Sequence, residues 1–181
     1  MRNLRDTELK RLHRQWRRRT EGRLALLLDS VQTPFNVGSI VRLAAAERIE
    51  HLYLGGASIS PRHPKAGKTS LGTERYVPWS SHEAVEGAID EAKDAGFFLV
   101  GLELADGAVP LHEVSMPSEV CLVLGHEDHG LSPLTLSACD ALAFVPQLGR
   151  VGSLNVAHTA AIGIYEVRRR EWASWRPDPD G

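Results

Sequence analysis

Five short apolar runs constrain the architecture of this chain. They lie at residues 24–29, 51–54, 97–102, 120–124 and 142–145. Runs of this length suit strands buried on both faces better than helices. Helical spacing occupies the stretches between them, at 7 to about 19, 37–48, 83–95, 132 to about 137, and 154–172. Asp6 is placed to cap the first of these helices, whose Leu9, Leu12 and Trp16 share one face. Pro133 suits the first turn of the fourth. Strands alternating with helices predict an α/β fold around a mostly parallel sheet flanked by helices. Residues 57–74, rich in Ser, Pro, Gly and basic groups, are expected to form one long loop. No repeat or linker divides the chain. The expected organisation is a basic helical extension at 1–22, one domain at 23–175 and a flexible tail at 176–181.

A chain of 181 residues can bury a full core of its own. Its 43% hydrophobic and 24% charged content excludes a wholly disordered chain, and no apolar run is long enough for a membrane span. Cys121 and Cys139 are too few for a disulfide framework or a cysteine-based zinc site, so a reducing cytoplasm is the expected compartment. The net charge of −2 is unevenly spread: residues 1–23 carry +6 and the remainder −8. A compact basic segment on an acidic body suits phosphate contacts, and suits a solvated helix equally well. Weaker basic clusters lie at Arg62, Lys65, Lys68 and Arg75, and at Arg168, Arg169 and Arg170.

Three loops that follow strands, at 29–38, 125–131 and 146–155, are rich in glycine and polar groups. In a parallel sheet they gather at the carboxyl edge, where open α/β sheets bind ligands. Several chemistries are excluded. Gly67-Lys68-Thr69 has Arg62 where a phosphate-binding loop needs its first glycine. The dinucleotide fingerprint is absent, Gly149 and Gly152 being the nearest approach. His126-Glu127-Asp128-His129 has one residue between Glu and the second His where a zincin has two, so no metal site is expected.

The loops read P-F-N-V-G-S-I-V-R over 34–42, L-V-L-G-H-E-D-H-G-L over 122–131 and V-P-Q-L-G-R-V-G-S-L-N-V-A over 145–157. Three motifs in this order, each after a strand, resemble the SpoU branch of the SPOUT RNA methyltransferases. The resemblance runs from about residue 23 to 170. Within the branch the chain looks most like the TrmH type, which methylates the ribose of a tRNA guanosine. Leu43 after the first motif and His158 after the third depart from the usual pattern, and bear on substrate positioning.

This resemblance implies a trefoil knot in the C-terminal third, a homodimer, and S-adenosylmethionine held by the knotted loops. It carries over Arg42, Asn36, Glu127, Ser153 and Asn155 as catalytic positions. Around the cofactor it places Leu124, Gly125, His126, Glu127, Gly130, Val145, Pro146, Leu148, Gly149, Ser153, Leu154 and Asn155. Arg42 is a poor general base, because a guanidinium stays protonated and has no acceptor. It is better suited to gripping a phosphate and stabilising a developing alkoxide. Glu127 is expected to fix loop geometry or Asn36 rather than take a proton. As plain structure, Asn36 caps the following helix, Arg42 faces solvent, and Ser153 caps the last helix. With about 22 residues before the first strand, the expected RNA contacts are Arg11, Arg14, Arg18, Arg19, Lys65, Lys68, Arg75 and Arg168. A compact RNA such as tRNA fits them, with rRNA as the alternative. A non-catalytic RNA-binding relative is the competing class.

Overall fold

The computed structural model describes residues 2–174. The expected tail at 176–181 lies outside them. The sheet has seven strands: β1 (Arg23–Asp29), β2 (Leu52–Gly55), β3 (Trp79–His82), β4 (Phe98–Leu102), β5 (Val109–Pro110), β6 (Glu119–Leu124) and β7 (Ala141–Phe144). Their order is β3-β2-β1-β6-β4-β7-β5, and every pair is parallel. β1 and β6 are buried along nearly their whole length, as all-apolar runs in a covered sheet must be. The chain steps outward from β1 to β2 and β3, then crosses to the other side. The carboxyl ends of β1 and β6 therefore mark a topological switch point.

Among the described residues there are six α-helices, of which all but the first pack around the sheet: α1 (Asp6–Arg18), α2 (Pro34–Ala46), α3 (Pro64–Ser70), α4 (Val85–Asp94), α5 (Pro133–Ala138) and α6 (Val156–Ser174). α2 and α6 lie over one apolar face, where Ile40, Val41, Ala160 and Ile164 meet Leu24, Leu26, Leu28 and Leu122. α4 covers the other, where Ala88, Ile89 and Ala92 pack against Ala25, Leu27, Leu99 and Val123. The alternation of β1 side chains between these two clusters is the period-two pattern of a strand. Buried Asp29, at the end of β1, accepts from the backbone N–H of Ser132 (2.9 Å) and the hydroxyl of Thr135 (2.7 Å). That ties the switch point to the start of α5.

The sequence expectations need four corrections. α2 begins at Pro34 rather than 37, because Thr33 occupies the cap position and proline suits the first turn. Residues 57–74 are not one loop: they contain α3 and the first part of a short 3₁₀ turn, Thr73–Tyr76. α3 crosses α2 so closely that a Cβ on Gly38 would stand 2.0 Å from the Thr69 hydroxyl. Two edge strands, β3 and β5, escaped notice because one reads Trp-Ser-Ser-His and the other has two residues. Finally, α1 caps itself differently: Arg5 is the cap residue and its backbone N–H donates to the Glu8 carboxylate (2.7 Å).

α1 buries none of its residues. It is held at its C-terminal end, where Trp16 meets Trp172 of α6 with ring centroids 5.0 Å apart. The indole N–H of Trp172 donates to the Thr20 hydroxyl (2.9 Å).

Candidate active site

The three motif loops meet beyond the carboxyl ends of β1, β6 and β7, around a cavity of about 540 Å³. That is ample for a nucleoside-sized ligand. Glu127 organises one rim. Its Oε1 accepts from the Asn36 side-chain amide (2.9 Å) and the Thr33 backbone N–H (2.9 Å), and its Oε2 from the Gln32 backbone N–H (3.1 Å). Asn36 passes the chain on: its Oδ1 accepts from the Asn155 side-chain amide (3.0 Å). Asn155 Oδ1 in turn accepts from the backbone N–H groups of Ala157 (2.9 Å) and His158 (3.3 Å). One hydrogen-bonded chain thus joins all three motifs.

Burial alone would raise the pKa of Glu127. The Asn36 amide and the backbone N–H groups outweigh it and hold the carboxyl at about 2. Glu127 is therefore an ionised strut at neutral pH, with little basicity to offer. Asn155, not Ser153, caps α6, since its Oδ1 takes two first-turn N–H groups. Asn36 sits inside α2 rather than at its cap, leaving its amide free to bridge Glu127 and Asn155.

Of the residues expected around a cofactor, Leu124, Gly125, His126, Glu127, Gly130, Val145, Ser153, Leu154 and Asn155 line the cavity. Pro146, Leu148 and Gly149 do not, and Leu148 stands fully in solvent at 102% exposure. Asn36 lines the cavity, whereas Arg42, further along α2, lies outside it with its side chain exposed. The sequence reading missed Leu102, Glu103 and Leu104, at and just beyond the end of β4, and Phe144 and Gln147 beside them. The segment after β4 has no glycine-rich signature. Its position at a strand's carboxyl end was the available signal. His126 and His129 stack with ring centroids 4.7 Å apart, and His126 Nδ1 accepts from the Asp128 backbone N–H (3.0 Å).

Among the expected RNA contacts, Arg11, Arg14 and Arg18 are exposed on α1, Lys65 and Lys68 on α3, and Arg75 in the 3₁₀ turn. Arg19 lies over the Trp16 ring at 5.2 Å. Arg168 is a correction. It is only 3% exposed, and its guanidinium donates to the carbonyls of Gly22 (2.9 Å) and Glu47 (3.1 Å). It clamps α6 to the start of β1 and has no reach to RNA. Arg170 is likewise engaged with the carbonyls of Leu111 and Val114.

The SpoU rRNA Methylase family profile matches residues 23–165. The chain belongs to this family. A relative from Synechocystis, named as a tRNA/rRNA methyltransferase, is 30% identical over 155 residues, which is 86% of this chain and 56% of the relative. The chain thus spans little more than half the length of that relative. An S-adenosylmethionine-bound rRNA methyltransferase from Sinorhizobium meliloti superposes with a TM-score of 0.77 at 31% identity, covering 83% of this chain and 57% of that one. A structure described for 2-OH methylation of C/U34 on tRNA gives a TM-score of 0.71 at 27% identity, covering 82% of this chain and 96% of that one.

Proposed function

We propose that the cavity binds S-adenosylmethionine and that the chain transfers its methyl group to a ribose 2′-hydroxyl of RNA. The favoured substrate is a tRNA guanosine, as in the TrmH type, with rRNA as the alternative. The Glu127–Asn36–Asn155 chain carries this reading, because it draws the three family motifs into one wall of a nucleoside-sized cavity. The donor set fits the cofactor: apolar Leu102, Leu124, Phe144 and Val145 suit an adenine, and the amides of Asn36 and Asn155 offer donors and acceptors to a polar tail.

The cofactor, when bound, supplies an activated methyl on a sulfonium. The protein supplies position and electrostatics. Asn155 holds the methionine end, while Glu127 keeps Asn36 and the first motif in register. Ser153, at the cavity edge, orients the ribose or Arg42. Arg42 grips the phosphate next to the target and stabilises the alkoxide as the 2′-hydroxyl loses its proton to water.

Arg42 lies outside the cavity of its own chain, which supports a homodimer in which it serves the partner's cavity. Ile162 and Tyr165 of α6 are 40% and 60% exposed, an apolar face suited to such a contact. The family resemblance also supports a trefoil-knotted path through the motif loops. We take residues 1–22 as a basic extension to a methyltransferase domain at 23–175. Arg11, Arg14, Arg18 and Arg19, with Lys65, Lys68 and Arg75, clamp the RNA backbone from two sides. Among the described residues no helix is long and apolar enough to cross a membrane. We place the action on RNA in the cytoplasm.

Transfer of labelled methyl from S-adenosylmethionine to unmodified tRNA and rRNA transcripts, mapped by alkaline hydrolysis, tests this reading. A 2′-O-methyl blocks cleavage at one phosphodiester. One protected position in tRNA is expected. Protection in rRNA alone replaces the partner and keeps the chemistry. Absence of both transfer and cofactor binding refutes the reading in favour of a non-catalytic relative.

A further inference from the structure

The segment after β4 contributes a carboxylate to the cavity that the three motifs do not account for. Glu103 follows the last residue of β4, its backbone N–H fixed on the Ala143 carbonyl (2.8 Å). Its side chain lines the cavity. Among the described residues no Lys, Arg or His forms an ion pair with it. Two backbone groups orient it: Leu104 N–H donates to Oε1 (3.0 Å) and Leu131 N–H to Oε2 (3.0 Å). Gly130, at φ 68°, makes room for this approach, since a Cβ there would stand 2.2 Å from Glu103 Oε2.

Each carboxylate oxygen accepts about two hydrogen bonds. Glu127 has three donors from loop groups and is close to saturated. Glu103 has one donor per oxygen, so each oxygen keeps an open acceptor site. Two adjacent acceptors on one rigidly held carboxylate match a ligand that presents two adjacent donors. Leu102, Leu104 and Phe144 around it are apolar, so the complementary ligand is a flat apolar body carrying paired hydroxyls. β4 is two strands from β1, about 10 Å across the sheet. Glu103 is thereby set apart from Asn36, at the end of the cavity away from the reacting groups.

We infer that Glu103 takes the vicinal ribose hydroxyls of the cofactor, making the site selective for a nucleoside with an intact sugar diol. The inference rests on the S-adenosylmethionine reading above. Through its bond to Leu131 N–H, the same carboxylate ties ligand occupancy to the second motif loop.

Calorimetric titration of wild type, Glu103→Ala and Glu103→Gln with S-adenosylhomocysteine and its 2′-deoxy and 3′-deoxy analogues tests it. In wild type, removing one hydroxyl is expected to weaken binding about 10-fold, the size of a hydrogen bond to a charged acceptor. In Glu103→Ala that ratio falls below about 2-fold, while S-adenosylhomocysteine itself binds about 10-fold more weakly. Glu103→Gln keeps an acceptor for Leu131 N–H and loses the charge, so it carries the test if the alanine variant does not fold. Its ratio is expected to fall to about 3-fold. A carboxylate that merely braces the loop would weaken all three ligands equally and leave the ratio at its wild-type value, which overturns the assignment. Equal affinity of wild type for ribo and deoxy ligands overturns it as well. Failure of wild type to bind S-adenosylhomocysteine at all refutes the proposed function, and the assignment falls with it.

Discussion

The two rims of the cavity are built differently. On one, the second motif loop is packed and wired: Gly125 is so enclosed that a Cβ would stand 2.2 Å from the Gly130 carbonyl carbon, and Glu127 takes three donors from the loop 29–38. On the other, the third motif loop is open. A Cβ on Gly149 or Gly152 would meet nothing within 4 Å. Leu148, Arg150, Val151 and Ser153 are exposed. Among the described residues no hydrogen bond engages 146–154. The first rim is held by the chain's own hydrogen bonds. The second has glycines at positions that nothing in the chain crowds. Pre-organisation is thus confined to one rim, and in the proposed function ligand binding completes the other.

This contrast can be broken at several points. Arg42 belongs to neither rim, so Arg42→Ala should lower methyl transfer about 100- to 1000-fold with unchanged affinity for S-adenosylhomocysteine by calorimetry. Lost affinity would place Arg42 in the cofactor site after all. Glu127→Ala leaves the Asn36 amide and two backbone N–H groups without their acceptor. A loss of about 3 kcal/mol in unfolding free energy is expected from denaturant titration.

The same strut predicts a pH dependence. The Glu127 carboxyl is held at about 2 in the folded chain, below the usual carboxylate range in the unfolded one. Its contribution is therefore present above about pH 4.5 and lost as pH falls toward 2. Stability measured against pH should show a shallower acid limb in Glu127→Gln than in wild type; identical limbs would remove Glu127 as the strut. On the open rim, Gly149→Ala should change unfolding free energy by less than about 0.5 kcal/mol. A large loss there would mean that the loop is already packed without ligand. If the α1 arginines contact RNA as proposed, truncation of residues 2–19 should weaken RNA binding and flatten its salt dependence, since α1 carries several exposed arginines and buries none of its residues.

The contrast also explains what was legible in the sequence. β1, β4 and β6 announced themselves because strands buried on both faces read as unbroken apolar runs. β3 did not, because an edge strand with Ser80 and His82 paired to Glu91 has no such run. Asn36, Glu127 and Asn155 were singled out by the family resemblance of the three motifs, and their mutual bonds follow from strand ends that converge at the switch point. Glu103 was missed because its place in the cavity depends on β4 lying beside β6 rather than on any local pattern. Arg168 was misread because a buried guanidinium that satisfies backbone carbonyls looks, in sequence, like one in a solvated cluster.

Amide hydrogen exchange with and without S-adenosylhomocysteine tests the two-rim account most directly. The backbone N–H groups of Gln32 and Thr33, already bonded to Glu127, should be protected in the free protein and change little on binding. Residues 147–155 should exchange freely without ligand and gain protection with it. Equal gains on both rims, or protection of 147–155 in the free protein, would contradict the account.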